Sequence, residues 1–375
     1  MKLMILAHNP MIPTKHSMPG GGEISMRELS EYLTAQGHEI EVLQFSWQNQ
    51  KRTLNGVHYY TLKATSNKRK LALATSFAKK HRPECLLTWS FESKIALNLK
   101  RELGIPYVFF VHRFETLIGG YWRLFRKFER LLPSLKNSQF RGKKNTLKIP
   151  LRVGYAWLMD TFVYGCTIPE SFREADLVVA NSEYTRRMIQ KIIGVDAIVS
   201  YYRIRAHKYR VKSTGSYITA IGLGKKSGHR MMEALARSMP DHKFLSVGHK
   251  DEVDIPNLKV QRTYVDDPRD IYRQTRIFIS AREHPEAFGR VPVEAMLSGI
   301  PAIATDLGGH AESVDGGGIL MKPSATVKDW KKAILQIEKE YKNYSKKART
   351  HAKKFDSEAP KKELEKRLTR IIAES

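Results

Sequence analysis

The sequence predicts an α/β protein of two domains, each built on a doubly wound sheet of parallel strands. The chain has 375 residues, which is too long for one ordinary core and suits two domains of roughly 150 to 200 residues each. In its first third, short apolar runs alternate with amphipathic stretches, and the same alternation restarts after about residue 210. Strands and helices that alternate in this way form parallel sheets covered on both faces.

In the first third, the apolar runs predict strands at 2–7, 39–45, 86–88 and 107–111, and the amphipathic stretches predict helices at 24–36 and 94–103. The N-terminal apolar run is only a few residues long before it turns polar, which predicts a buried strand rather than a signal peptide. No stretch approaches the ~20 apolar residues that span a bilayer. We therefore expect a cytoplasmic protein, or one associated with a membrane at its cytoplasmic face.

In the second half, strands are predicted at 217–221, 243–247, 277–280 and 302–305, with helices at 230–238 and 292–298. Gly299 and Pro301 end the last of these helices. The charged tail 328–375 is helical in pattern, and Pro360 predicts its division into two helices.

The composition is strongly basic, with 64 Lys and Arg against 38 Asp and Glu and a formal net charge of +26. Such a surplus favours an anionic partner, whether nucleotide, phospholipid, polyanionic glycan or nucleic acid. Cys85 and Cys166 form neither a metal-ligand spacing nor a disulfide framework, which predicts two core residues in a reducing compartment. A hydrophobic content of 42% excludes a wholly disordered chain.

The segment 284–314 carries the candidate chemistry. Glu286 is predicted in a loop after a strand, a tight turn follows it, and Glu294 lies on the next helix. Gly289 allows backbone amides at the start of that helix to approach a ligand closely. The Glu294 carboxylate can accept two hydrogen bonds from a vicinal diol such as that of a ribose. Gly308 and Gly309 follow the next strand and form a second loop of close approach.

Seven residues separate Glu286 from Glu294, and this spacing resembles the Glu-x7-Glu signature of the retaining GT-B glycosyltransferases of family four, the group 1 type. The match continues through EAMLSGIPAIATDLGG and on to Glu312. The resemblance implies the GT-B fold, in which two Rossmann-like domains face each other across a cleft. The competing interpretation is two ordinary surface glutamates, one on a loop and one on a helix.

Weaker segments resemble the same family. Residues 19–23, with three glycines, resemble its N-terminal glycine loop, and Val111-His112 resembles its active-site histidine. Residues 180–183 resemble the segment that closes the N-terminal domain. A glycine triplet is otherwise a flexible turn, and a lone histidine at a strand end is otherwise structural.

Residues 217–228 resemble the opening of the family's nucleotide domain, but they depart from its pattern. Leu223 stands where the family has Arg, and the usual Lys-Gly pair reads Lys226-Ser227-Gly228. Either Lys226 or Lys225 can supply the positive charge that a leaving diphosphate needs. Either lysine is alternatively a solvated loop residue.

The resemblance implies transfer of a sugar from a nucleotide donor with retention, as in a hexosyltransferase, without a metal or another cofactor. Uridine is the family's commonest base. The implied domains are an acceptor-binding domain at 1–205, a donor domain at 206–360, and a final helix at 361–375 that packs on the first domain. The implied catalytic residues are His112, Glu286 and Lys226. The implied donor-binding residues are Gly21, Gly22, Gly222, Lys225, Phe288, Gly289, Glu294, Gly308 and Gly309. Among them, Glu294 binds the ribose, Glu286 meets the donor sugar, and the amides of Phe288 and Gly289 help to hold that sugar.

The segment 117–153 breaks the α/β pattern. Ten Lys or Arg residues lie between Arg123 and Arg152, and only Glu129 opposes them. Trp122, Phe125, Phe128 and Leu132 recur at helical spacing, which is typical of a basic amphipathic helix on an anionic membrane. The alternative is an apolar side that packs on the core. The first interpretation favours a lipid-linked or cell-envelope glycan as acceptor.

Two other functions are compatible with the sequence. The basic charge and its aromatic neighbours suit a nucleic-acid-binding protein or a DNA-modifying transferase. No recognised nucleic-acid motif is present, so nucleic acid is not the partner we expect. The Leu223 departure suits a non-catalytic sugar-binding subunit.

Overall fold

A computed structural model describes residues 1–7, 11–12, 20–112, 167–222, 228–248, 253–262 and 267–375. The chain divides into two compact units. Unit 1 comprises Met1–Asn181, Arg186–Ser200 and Lys361–Ser375, and unit 2 comprises Ser182–Thr185 and Tyr201–Pro360. Each unit is an α/β sheet structure of the Rossmann-like type, which confirms the predicted fold class.

Within the described residues, the sheet of unit 1 has eight strands in the order β3-β4-β2-β1-β5-β6-β7-β8. The strands are β1 (Lys2–Ala7), β2 (Glu39–Ser46), β3 (Gln50–Leu54), β4 (Val57–Lys63), β5 (Cys85–Trp89), β6 (Tyr107–Val111), β7 (Leu177–Ala180) and β8 (Ile198–Val199). β5 and β6 are buried along their whole length. Strands of a parallel sheet covered on both faces read as continuous apolar runs, and for this reason the sequence revealed them.

Among the described residues, the first helices of unit 1 are α1 (Gly21–Ala35), α2 (Asn67–His81), α3 (Ser93–Leu103) and α4 (Ile168–Arg173), with α5 (Glu183–Ile193) beginning in unit 2. α1 begins three residues before the predicted helix, so Gly21 and Gly22 form its first turn instead of a loop before it. Glycine is a poor helix former, and its low propensity concealed this start.

The hairpin of β3 and β4 was missed by the sequence analysis. β3 is exposed along its whole length and pairs antiparallel with β4, so the sheet of unit 1 is mixed at this edge. Asn55 and Gly56 connect the strands with φ values of 51° and 78°. An Asn-Gly pair with both residues at positive φ is the preferred two-residue hairpin turn, and it was the available signal.

The sheet of unit 2 has six strands, all parallel, in the order β11-β10-β9-β12-β13-β14. The strands are β9 (Tyr217–Ile221), β10 (Lys243–Val247), β11 (Leu258–Gln261), β12 (Thr275–Ser280), β13 (Ala302–Thr305) and β14 (Ile319–Met321). The order reverses between β9 and β12. Ligands of such sheets bind outside the carboxyl ends of the strands at this reversal.

The remaining helices are α6 (His229–Ser238), α7 (Arg269–Gln274), α8 (Arg290–Leu297), α9 (His310–Val314), α10 (Val327–Lys339), α11 (Tyr341–Lys353) and α12 (Ala359–Glu374). The prediction of two tail helices divided by Pro360 was wrong, because the tail forms three. Pro360 is the second residue of α12, where a missing backbone N–H costs nothing. Within the described ranges, no helix is long and apolar enough to cross a bilayer.

Candidate functional site

The loop after β12 docks against the loop after β13 through main-chain atoms. Glu286 and Gly308 form an isolated parallel bridge, and the Gly309 amide donates to the Glu286 carbonyl at 2.7 Å. A Cβ at position 308 would lie 2.2 Å from the Glu286 carbonyl oxygen, and one at 309 would lie 2.4 Å from the Ala287 carbonyl oxygen. Both glycines are therefore required by contact with the protein's own backbone. An approach of these glycines to phosphates stays a prediction.

Hydroxyl groups from residues 182–185 hold the same loop. The Ser182 and Thr185 hydroxyls both donate to the Ala287 carbonyl, the latter at 3.2 Å. Ser182 also accepts from the Thr185 amide at 2.9 Å and so caps α5. Residues 180–183 were predicted only from a family resemblance, although a serine before a helical segment is a recognisable N-terminal cap.

Glu312, which lies on α9, also stabilises the start of α5. Its carboxylate accepts from the amides of Glu183 at 2.7 Å and Tyr184 at 2.6 Å, and from the Tyr201 hydroxyl at 2.9 Å. A carboxylate at a helix N-terminus satisfies amides that have no partner within the helix. Glu312 therefore has a structural role in unit 2.

Glu286 presents a partly exposed carboxylate beside this loop. The Arg282 guanidinium lies 3.0 Å from it, and the Glu286 side chain is 34% exposed. The neighbouring Phe288 is buried, and its ring packs on Tyr201 and Phe355. Phe288 therefore offers a ligand only its main chain.

Gly289 forms the corner between this loop and α8, with φ at 89°. A Cβ there would lie 2.4 Å from the His310 ring, so only glycine fits this corner. The buried His310 ring bonds the Thr305 carbonyl at 2.9 Å, and burial lowers its pKa while the Glu286 charge opposes that shift. His310 was not predicted from the sequence as a residue of this site.

Glu294 lies on the first two turns of α8 with its carboxylate held at both oxygens. Oε2 accepts from the Tyr272 hydroxyl at 3.0 Å, and Oε1 accepts from Arg290 Nε at 2.9 Å. Arg290 also donates to the Tyr209 hydroxyl at 3.0 Å. The Glu294 side chain keeps 11% of its surface exposed. Burial, together with the Glu294 charge, raises the pKa of Tyr272 well above its usual value, so the phenol remains a donor.

Gly222 directly follows β9, beside the reversal of strand order. Its amide donates to the Val247 carbonyl at 3.1 Å, and its carbonyl lies 3.0 Å from His229 Nε2. The buried His229, at the start of α6, was missed by the sequence analysis. Lys225 and Lys226, with Leu223, lie outside the described residues.

In unit 1 the structure brings Gly22 and His112 together. His112 follows β6, and its ring packs on Trp89 at 5.7 Å and on Phe110 at 6.1 Å. A Cβ at Gly22 would lie 3.1 Å from the His112 ring, so a glycine here lets the first turn of α1 approach the histidine. Gly21, Gly22 and His112 belong to unit 1, and the other described candidates belong to unit 2.

Comparisons with known proteins match both parts of the chain. Residues 19–202 match the family model described as Glycosyltransferase Family 4, and residues 257–355 match Glycosyl transferases group 1. A D-inositol 3-phosphate glycosyltransferase of Gordonia bronchialis is 36% identical over 92 residues. That match covers 23% of this chain and 19% of the relative.

Solved structures resemble the whole fold. Sucrose-phosphate synthase from Thermosynechococcus elongatus has a TM-score of 0.76 at 14% identity and covers 100% of both chains. HepE of Anabaena in complex with UDP has a TM-score of 0.70 at 16% identity, covering 99% of this chain and 100% of HepE. A glycosyltransferase from Rickettsia africae has a TM-score of 0.68 at 15% identity, with 99% and 97% covered. At these identities the likeness concerns the fold.

Proposed function

The chain belongs to the group 1 and family 4 glycosyltransferases, and from this membership we propose that it moves a sugar from a uridine-diphosphate donor to a hydroxyl acceptor with retention. Glycosyl transfer is the activity of the family. The donor, the stereochemical course and the acceptor are the content of the proposal. HepE, which has the same fold, was crystallised with UDP and with UDP-glucose, and this supports a uridine donor.

The geometry of Glu294 carries the proposal. Its carboxylate is fixed between Tyr272 and Arg290, and it remains partly accessible. A fixed acceptor with two oxygens suits the two adjacent hydroxyls of a ribose. We assign Glu294 to the ribose for this reason.

Glu286 and the start of α8 have the chemistry to hold the donor sugar. The Glu286 carboxylate is a third exposed, so it can accept hydrogen bonds from sugar hydroxyls. We assign the main-chain amides of Phe288 and Gly289 to the same sugar, because they lie at the start of α8 and a helix start favours electron-rich groups.

Bond cleavage would depend on charge stabilisation. A glycosyl transition state has oxocarbenium character, and the departing diphosphate gains negative charge, so fixed cations and amides at that oxygen contribute several kcal/mol. We assign this role to Lys226 or Lys225, with Gly21, Gly22, Gly222, Gly308 and Gly309 approaching the phosphates. His112 is proposed beside the transferred sugar. We propose neither a metal nor a covalent carboxylate nucleophile.

The proposed acceptor is lipid-linked or a cell-envelope glycan. This part of the proposal rests on the basic aromatic segment 117–153, which lies outside the described residues. Replacement of Trp122 and Phe125 by Ser tests it, because binding to anionic vesicles should fall if this segment lies on a membrane. Unchanged binding would leave the segment as a core-facing helix.

Calorimetry with UDP tests the assignment of the two glutamates. Glu294→Ala should abolish UDP binding, because it removes the acceptor for the ribose hydroxyls. Glu286→Ala should leave UDP affinity within about twofold of the parent and lower turnover by about 100-fold, since its partner is the sugar. UDP affinity that is unchanged in Glu294→Ala would contradict the ribose assignment.

Donor hydrolysis in the absence of acceptor distinguishes the enzyme from a non-catalytic sugar-binding subunit. An enzyme should release UDP slowly from a UDP-sugar, and Glu286→Ala should abolish this release. Nucleotide-sugar binding without any hydrolysis, at every donor tested, would favour the binding subunit.

A further inference from the structure

One stretch of the sequence of unit 1 contains basic residues and no acidic ones. Residues 42–83 contain nine Lys or Arg residues and no Asp or Glu. They include most of β2, the exposed hairpin of β3 and β4, and the whole of α2. This charge belongs to the described part of the chain and is separate in sequence from the segment 117–153.

Part of this charge gathers where β2 and β4 end. The Ser46 carbonyl accepts from the Ala64 amide at 3.1 Å, and Asn49 Oδ1 accepts from the Lys63 amide at 2.6 Å. The turn that carries Trp47 is thereby fixed against the end of β4. α2 begins three residues after Ala64, and its first turn adds Lys68, Arg69 and Lys70. We call Trp47, Lys63, Lys68 and Arg69 the basic rim.

The members of the basic rim are exposed. The Trp47 side chain is 75% exposed, whereas Trp89 and Trp330 are 3% and 2% exposed. Lys63, Lys68 and Arg69 are also exposed, and no carboxylate among the described residues forms an ion pair with them. By contrast, Lys70 and Lys79, on the same helix, pair with Glu92 at 3.8 Å and with Glu102 at 2.7 Å.

We propose that the basic rim docks unit 1 on an anionic membrane surface, with the Trp47 indole at the level of the lipid headgroups. Tryptophan is enriched at membrane interfaces because its ring is apolar while its N–H can remain hydrated. Cations beside it gain from the negative surface potential of anionic lipids. Single-stranded nucleic acid is instead held by several aromatic rings on which successive bases stack, and the rim has one.

Vesicle flotation tests the charge of the rim. The full-length chain should float with phosphatidylcholine–phosphatidylglycerol vesicles at low salt, should not float with phosphatidylcholine alone, and should be released by salt. Lys63→Glu/Lys68→Glu should lower its partition coefficient by about tenfold or more. The control Lys342→Glu/Lys346→Glu changes net charge equally at exposed positions of α11 in unit 2, and it should float like the parent.

Fluorescence quenching by brominated lipid tests whether the Trp47 indole contacts the membrane. Vesicles with brominated acyl chains should quench part of the parent's tryptophan fluorescence, and Trp47→Phe should remove that part while flotation persists. Trp47→Ser should weaken flotation, and its high exposure means that the fold does not depend on it.

Three results would overturn the proposal. One is a parent chain that does not float with anionic vesicles, including one retained on DNA instead. Another is equal flotation of Lys63→Glu/Lys68→Glu and of the control Lys342→Glu/Lys346→Glu. The third is loss of flotation with Trp122→Ser/Phe125→Ser while the rim variants bind normally. None of these outcomes depends on donor binding, so the proposed transfer reaction is tested separately.

Discussion

At the scale of single residues, Glu294 is oriented by two neighbours of different chemistry. Tyr272 is buried beside it, and because burial and the Glu294 charge raise the pKa of the phenol, the O–H remains a donor. Arg290 precedes Glu294 by four residues on α8 and holds the other oxygen. A buried charge that has lost a partner is costly in free energy. The position of the Glu294 carboxylate should therefore depend on both Tyr272 and Arg290.

Tyr272→Phe should therefore weaken UDP binding by about 10- to 100-fold, the value of roughly one hydrogen bond to a charged group. The substitution leaves Glu294 in place but removes the donor that fixes Oε2. Calorimetry gives the affinity, and steady-state kinetics should show the loss mainly in the KM for the donor.

Tyr341→Phe is the matched control for this substitution. It removes a tyrosine hydroxyl in the same unit, one that donates to the Arg276 carbonyl at 3.0 Å. Both variants should lose some thermal stability, but only Tyr272→Phe should lose UDP affinity. Equal affinities in the two variants would mean that Tyr272 has only a structural role.

At the scale of elements, the corner before α8 requires glycine for two reasons. Gly289 has a positive φ, and there is no space for a Cβ beside His310. Gly289→Ala should lower the free energy of unfolding of unit 2 by about 3 kcal/mol or more, because it adds a steric overlap with His310 to the cost of a positive φ. Chemical denaturation measures the loss. Gly316→Ala is the control, since Gly316 has a φ of 78° but its Cβ would meet only an ordinary contact at 3.7 Å. It should cost about 1 kcal/mol, and equal losses would contradict the overlap.

Two histidines near α9 and α11 should make unit 2 less stable in mild acid. Burial lowers the pKa of His310 and of His351 below the ordinary value of 6.5. Their contribution is complete above pH 6.5, and it is lost as the pH falls because the unfolded chain then binds protons more readily than the folded one. The nearby charges are those of Glu286, Arg282 and Asp306 for His310, and of Lys354 and Asp315 for His351.

Thermal midpoints between pH 8 and pH 5 measure this effect. The thermal midpoint should decrease as the pH is lowered beyond about 6.5. The double variant His310→Gln/His351→Gln should show a smaller decrease over the same pH range, even if its midpoint is lower at every pH. His207→Gln, at an exposed position, should keep the parent's slope. If the thermal midpoint of the double variant depends on pH as steeply as that of the parent, the two histidines are not the cause of the acid sensitivity.

Sequence patterns predicted the elements with strong periodicity and missed those fixed by contacts. The strands 2–7, 107–111, 217–221, 243–247 and 302–305 have the predicted bounds, because buried parallel strands are continuous apolar runs. The spacing of Glu286 and Glu294 identified the candidate pair. Tyr272, 22 residues before Glu294, was missed because only the fold brings it there. Glu312 was placed in the motif, but its contacts with the start of α5 were not predictable from local pattern.

At the scale of the whole molecule, α12 completes unit 1 from the far end of the chain. Leu364 and Leu368 are buried in the core of unit 1, and the buried Lys361 ammonium donates to the Glu28 carbonyl at 2.9 Å. The Tyr32 hydroxyl donates to Glu365 at 2.9 Å. Unit 1 is therefore built from segments separated by more than 150 residues of sequence.

Leu368→Ala should destabilise unit 1 by about 2–5 kcal/mol, as expected for a fully buried leucine. Hydrogen exchange followed by mass spectrometry localises the effect. Protection should fall in β1 and β5 of unit 1 and stay the same in β12 of unit 2. Thr369→Ala, at the next and exposed position, should change neither, and a uniform loss across both units would show that they unfold together.

The late position of α12 also determines the order in which the chain can mature on the ribosome. Residues 201–360 are synthesised before α12, so unit 2 can fold while the core of unit 1 still lacks Leu364 and Leu368. Until α12 has been synthesised, unit 1 remains an incompletely folded nascent domain. Loss of α12 would therefore harm the unit of the protein that is translated first.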